Sequence, residues 1–236
     1  MNDVAHRLAE LDWPRIEAGL DSDGYAVTGP LLSGSECASL SAGFDADGAF
    51  RNRVVMARHG YGQGEYRYYA YPLPGLIEGL RTGLYPALAA VANRWQGALG
   101  REAVFPLGHA AFLQQCHEAG QVRPTPLLLR YGAGDYNRLH QDLYGDLAFP
   151  LQVAFLLSRP GADFEGGEFV LTEQRARMQT RAEVVPLQQG EGVIFAVNQR
   201  PARGSNGVQR VTMRHGVSRV RSGNRHTLGI IFHDAA

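Results

Sequence analysis

The chain has no lysine. All 23 basic residues are arginine, and they balance 23 acidic residues to a formal charge of zero. Lysine's absence supports no functional conclusion, but cysteine's scarcity does. Cys37 and Cys116 are the only two; they cannot build a disulfide framework and lie in no C-x-x-C arrangement, so a reducing compartment is expected. No apolar run approaches a membrane span, and the start, M-N-D-V-A-H-R-L-A-E-L-D-W-P, has no apolar core of signal-peptide length. The expectation is a cytoplasmic protein with no membrane partner. Internal repeats, low-complexity tracts and a convincing linker are also missing. With 44% hydrophobic and 19% charged residues the chain is too apolar for disorder and reads as one globular domain over residues 1–236. A further absence is local: no acidic residue lies between Glu191 and Asp234, while seven arginines fall from Arg200 to Arg225. One end of the molecule should carry a positive field despite overall neutrality.

The apolar positions Val4, Leu8, Leu11 and Ile16 have roughly helical spacing, with Pro14 near the start of a second helical segment. D-G-Y-A-V-T-G-P then reads as a short strand, and Ser33 or Ser35 caps a helix. From Phe50 to Pro74, a hairpin around Gly60 to Gly64 carries arginines and tyrosines. It predicts either a partly mobile flap or a tyrosine-rich edge hairpin packed on the rest. A helical run follows, broken at Pro86 and ending at Gly100, and a shorter helix spans Ala110 to Glu118. Residues 1–124 therefore read as helical support plus a substrate flap, and residues 125–236 as the core.

In that core the expected strands are Leu127 to Tyr131, Arg138 to Leu143, Leu151 to Leu157, Glu168 to Leu171, Glu183 to Pro186, Gly192 to Val197, Gln209 to Arg219 and His226 to His233. Short strands without intervening helices predict an α+β protein built on a jelly-roll barrel, a double-stranded β-helix with supporting N-terminal helices. Within the second of these strands stand His140 and Asp142. Residues two apart on a strand share a face, so the imidazole and carboxylate can reach one point. A second histidine would complete the two-histidine, one-carboxylate triad that suits Fe(II) and leaves positions open. His215, in a later strand-like run, is the best candidate. An H-x-D taken alone is also compatible with packed or solvated side chains.

The order R-Y-x-x-G, H-x-D, F-x-G-G-E, G-x-I-F, H and R resembles the Fe(II)/2-oxoglutarate-dependent oxygenases of prolyl-hydroxylase type. The strings L-H-Q-D at Leu139 to Asp142 and R-H-G-V at Arg214 to Val217 resemble the AlkB-type nucleic-acid demethylases. The tail is similar to a bacterial oxygenase family assigned to damaged DNA. The AlkB-type ending with a second arginine is not matched, since the last strand here reads R-H-T-L-G-I-I-F-H.

The resemblance implies that His140, Asp142 and His215 hold Fe(II), that 2-oxoglutarate and O2 are co-substrates, and that Arg225 binds the far carboxylate of 2-oxoglutarate. A guanidinium fork suits that carboxylate, and Thr227 shares its strand face. Tyr131 and Gln152 are further candidates for the co-substrate pocket, with a core tyrosine as the alternative for Tyr131. On the substrate side the candidates are Arg58, Tyr61 and Tyr66 of the hairpin and Arg219 and Arg221 of the acid-free run, suited to phosphates and bases of alkylated DNA or RNA. Two other classes stay open: a prolyl-hydroxylase-like enzyme acting on a peptide or small molecule, and a jelly roll holding Zn or Mn, or no metal, as a lyase, isomerase or binding module.

Overall fold

The structure, a computed structural model, describes residues 4–46, 48–204 and 207–236. It opens with α1 (Val4–Ala9) and α2 (Trp13–Asp23). Asp12 caps α2, Pro14 sits in its first turn, and Gly24 ends it in the left-handed conformation. After β1 (Tyr25–Pro30) comes α3 (Gly34–Ala42), begun by a reciprocal capping box between Ser33 and Glu36; Ser33 is thus the cap and Ser35 is not.

Next, β2 (Phe50–Val55), β3 (Gly62–Gln63) and β4 (Glu65–Tyr69) form the tyrosine-rich segment. It is an edge hairpin and not a free flap: β4 pairs with β5, β2 pairs with β4, and Tyr68 and Tyr69 are buried.

The expected break at Pro86 does not occur, and α4 (Gly75–Ala98) runs straight through it. Ile77, Leu80, Leu84 and Tyr85 before the proline and Leu88, Val91, Ala92 and Trp95 after it are buried on one face. That continuous apolar face outweighs the roughly 3 kcal/mol penalty of an interior proline. The last helix is α5 (His109–Glu118).

The remaining elements are β5 (Leu127–Tyr131), β6 (Tyr136–His140), β7 (Leu151–Leu156), β8 (Phe164–Gly166), β9 (Phe169–Gln174), β10 (Arg181–Val185), β11 (Glu191–Ala196), β12 (Gln199–Gly204), β13 (Gly207–Val217), β14 (Val220–Gly223) and β15 (Arg225–Ile231). The order β1-β11-β7-β15-β5-β4-β2 makes a major sheet, and β10-β9-β13-β6-β3, with β12 on β13, makes a minor one. Strands from before residue 125 therefore belong to the barrel, and the support and core halves interleave.

Three strands, β8, β12 and β14, were not expected. β8 and β14 are too short to show a period, and β12 carries Pro201, which an edge strand tolerates. The architecture is a jelly-roll barrel with helices on the major sheet. Along β7, Leu151, Val153 and Phe155 pack towards the helices, and on β15 Leu228 and Ile230 do the same. Their alternates Gln152 and Ala154, and Arg225, Thr227 and Gly229, face the space between the sheets. Among the described residues no helix is long and apolar enough to cross a membrane.

Candidate metal and co-substrate site

Between the sheets lies a cavity of about 380 Å³, and each sheet contributes a different chemistry to it. The minor sheet supplies the metal donors. His140 ends β6 and stands opposite His215 in the β6–β13 register, which puts their ring centroids 4.2 Å apart. Asp142 does not share a strand with His140 as expected, because β6 stops at His140 and the chain turns. The turn still delivers the carboxylate: Asp142 Oδ1 is 3.5 Å from His140 Nε2, and Oδ2 is 3.4 Å from His215 Nε2. The three donor atoms all lie within 4.8 Å of one another.

The surrounding hydrogen bonds orient these donors towards one point. His140 Nδ1 donates to the Arg138 carbonyl at 2.7 Å, which leaves Nε2 facing Asp142. Tyr144 donates to Asp142 Oδ1 at 2.6 Å, and Gln152 Nε2 donates to Oδ2 at 2.9 Å while lying 3.2 Å from His215 Nε2. Burial alone would raise the Asp142 carboxyl, but its contacts with the two histidines outweigh it and hold the group well below the usual range; against the effect of burial, Asp142 in turn raises His140. Burial and the neighbouring His140 keep His215 below its ordinary value. An ionised carboxylate beside a neutral imidazole is the donor set a divalent ion needs.

The major sheet supplies the anion site. Arg225 opens β15 beside Tyr131 of β5, is 1% exposed, and donates from Nη1 to Thr227 Oγ1 at 2.8 Å. Among the described residues its Nε has no partner, and neither does the buried Tyr131 hydroxyl. Burial pushes the guanidinium down to about 10, opposed by Tyr131 and Glu168, so it remains charged at neutral pH. A buried cation with unmet donors, sharing a cavity with a metal-donor cluster, fits a carboxylate ligand.

The cavity brings His140, Asp142, His215, Arg225, Thr227, Tyr131, Gln152, Tyr61 and Tyr66 together. Arg58, Arg219 and Arg221 do not line it. Val220 is the buried residue between Arg219 and Arg221, so the strand period turns both arginines outward, and Arg221 sits 3.7 Å from Glu168. The acid-free run is also less free than its composition suggests, since Arg200 is buried against Glu173 at 2.5 Å. Tyr144 was missed, although it stands one strand period beyond Asp142.

A family described as "Oxygenase, catalysing oxidative methylation of damaged DNA" matches residues 64–235. The chain belongs to this oxygenase family. An uncharacterised protein of Mycobacterium tuberculosis is 51% identical over 165 residues, covering 70% of this chain and 71% of that one. Among solved structures the fold is similar to a Pseudomonas putida prolyl-4-hydroxylase (14% identity, TM-score 0.53, 95% of this chain and 99% of that one). It is also similar to a 2OG-Fe(II) oxygenase family oxidoreductase from Burkholderia pseudomallei (15% identity, TM-score 0.56, 96% and 94%). The family is one of oxygenases, the fold is shared with a 2OG-Fe(II) oxygenase, and the donor cluster beside Arg225 suits a divalent ion with a carboxylate ligand.

Proposed function

We propose that the chain is an Fe(II)/2-oxoglutarate-dependent oxygenase that removes alkyl groups from nucleic acid. The carrying observation is one cavity holding His140, Asp142 and His215 on one wall and the unpaired Arg225 on the other. In this reading His140, Asp142 and His215 hold the metal. Arg225, with Thr227 and Tyr131, receives the distal carboxylate of 2-oxoglutarate. Gln152 and Tyr144 hold the Asp142 carboxylate in place. Metal, 2-oxoglutarate and dioxygen together supply the oxidation of a substrate C–H bond, with succinate and carbon dioxide as co-products.

The substrate reading is supported by the family description and by the cavity mouth. Tyr61, half exposed and stacked on His59 at 5.3 Å, stands there with Tyr66 and Leu143. Arg138, exposed on β6, donates its backbone N–H to the Tyr61 carbonyl at 2.8 Å, and Arg58 lies on the turn just before. Aromatic faces beside arginines suit a stacked base and its phosphates. A base inside a duplex must be flipped out to reach such a cavity, so a single strand is the simplest substrate. Hydroxylation of an N-methyl group gives a hemiaminal that sheds formaldehyde, so the direction is demethylation.

The test is succinate and formaldehyde release from a methylated single-stranded oligonucleotide. His140→Ala and His215→Ala serve as controls that should lose stoichiometric iron and turnover yet keep their thermal unfolding transition. Tight iron retention by either control would remove the metal assignment. A proline peptide hydroxylated while oligonucleotides yield no formaldehyde would install the prolyl-hydroxylase-like alternative. No charge-transfer band on anaerobic addition of Fe(II) and 2-oxoglutarate would favour a Zn or Mn site or a binding module.

A further inference from the structure

The F-E-G-G-E stretch, Phe164 to Glu168, contributes nothing to the donor cluster, yet its second glycine touches the co-substrate side. Gly167 has φ +62°, and a Cβ built on it would lie 2.9 Å from Arg225 Cδ, 2.9 Å from Val220 Cγ2 and 3.5 Å from Arg225 Nε. Its backbone N–H is tied to the Arg219 carbonyl at 3.0 Å, so the loop cannot easily withdraw. A second cavity of about 440 Å³ has Gly167 in its wall. Arg225 lines both cavities, whereas Gly167 lines only the second. Gly167 is therefore the surface behind Arg225, and the Thr227 hydroxyl is the contact in front of it.

We infer that Gly167 is a specificity-determining position for the co-substrate. By having no side chain, it lets Arg225 sit deep enough for 2-oxoglutarate to span from the metal donors to the guanidinium. A methyl group there cannot fit behind Arg225. Val220 is fully buried and borders neither cavity, whereas Arg225 borders the open one in front of it, so the relief comes from the arginine, which moves away from Gly167 into the cavity of the metal donors by at least ~0.6 Å to regain an ordinary carbon–carbon separation of about 3.5 Å. The shortened span then favours a 2-oxo diacid one methylene shorter. This rests on the reading that Arg225 binds the distal carboxylate.

Anaerobic calorimetric titration of the Fe(II)-loaded full chain with 2-oxoglutarate and, separately, with oxaloacetate tests it. Gly167→Ala should weaken 2-oxoglutarate roughly tenfold or more while oxaloacetate loses less, which shifts their affinity ratio. Val220→Ala, which opens space without pushing Arg225, should leave the ratio unchanged. If Gly167→Ala does not fold, the double variant Gly167→Ala/Val220→Ala removes the valine clash and keeps the arginine one, so it should show the same shift. An unchanged ratio in the folded variant, or equal weakening of both diacids, overturns the inference. Arg225→Ala separates the two levels: if it also leaves 2-oxoglutarate affinity untouched, the reading of Arg225 itself has failed.

Discussion

Arg81 and Arg225 are the same side chain at the same depth, 0% and 1% exposed, in surroundings of opposite character. Around Arg81 every nitrogen has a partner. Nε donates to the Ile231 carbonyl at 2.8 Å, Nη1 to the Tyr71 hydroxyl at 3.0 Å, and Nη2 to Asp234 Oδ1 at 2.8 Å and the His233 carbonyl at 3.2 Å. Asp234 takes further hydrogen bonds from Tyr71 and His117, so the cluster ties α4 and α5 to the end of the chain. Arg225 has Thr227, an idle Nε and no carboxylate within hydrogen-bonding reach. Burying a charge costs several kcal/mol unless it is paired. The first region meets that cost internally and acts as a lock; the second leaves it unmet, as the proposed receptor for a carboxylate requires.

The largest expected effect breaks the lock. Arg81→Ala leaves the buried Asp234 carboxylate unpaired and should lower unfolding free energy by about 3 to 5 kcal/mol in urea denaturation. A loss under about 1 kcal/mol would mean that the two arginines do not differ in kind. Next comes the receptor. Arg225→Ala should leave stability unchanged or raised, because an incompletely paired charge is removed, while 2-oxoglutarate affinity falls by roughly 1.5 to 3 kcal/mol in calorimetry. Arg225→Lys should be intermediate, since an ammonium keeps the charge without the fork. Marked destabilisation of Arg225→Ala would place Arg225 with Arg81 instead.

The effect of pH is spread over a wide range, and it belongs to the lock. Burial, with Arg81 second, pushes His109 and His233 down to about 4. Their folded values lie below their unfolded ones, so they contribute stability above about pH 6.5 that is lost as pH falls towards 4. Between pH 6.5 and 4 the decline should be on the order of 1 kcal/mol per histidine per pH unit. Thermal unfolding at pH 7.5 and 5.5 measures it, and His109→Asn should remove that residue's share. Glu36, held at about 2 chiefly by Arg7, acts in a separate window below pH 4.5.

Much of the barrel is legible in one dimension because strand and helix periods are local. β5 falls on the expected residues, and β7, β11 and β15 fall within two residues of them at each end. The boundary that misled is that of β6. Alternation read through Asp142, but the strand ends at His140, and the carboxylate is aimed by a turn held by Tyr144 and Gln152, partners that periodicity does not reveal. Pro86 misled in the opposite direction, because packing on both sides of it overrode a local rule. Composition alone did not divide the seven-arginine run. Arg200 is consumed by Glu173, Arg225 faces the cavity, and Arg219 and Arg221 face away from it.

By itself the sequence determined the candidate donor residues and their order, the arginine that follows them, a serine cap for α3 and the alternation that builds two faces on each strand. These are properties of residue type and spacing. Only the tertiary structure decided which buried arginine is satisfied and which is not, since that depends on the sum of partners brought from distant segments. Arg81 draws on residues 71, 125, 231, 233 and 234. Arg225 meets the absent side chain of Gly167 behind it and an open cavity in front. Hydrogen-bond satisfaction and close packing are three-dimensional quantities, and here they separate an arginine that holds the fold from one that shares a cavity with His140, Asp142 and His215.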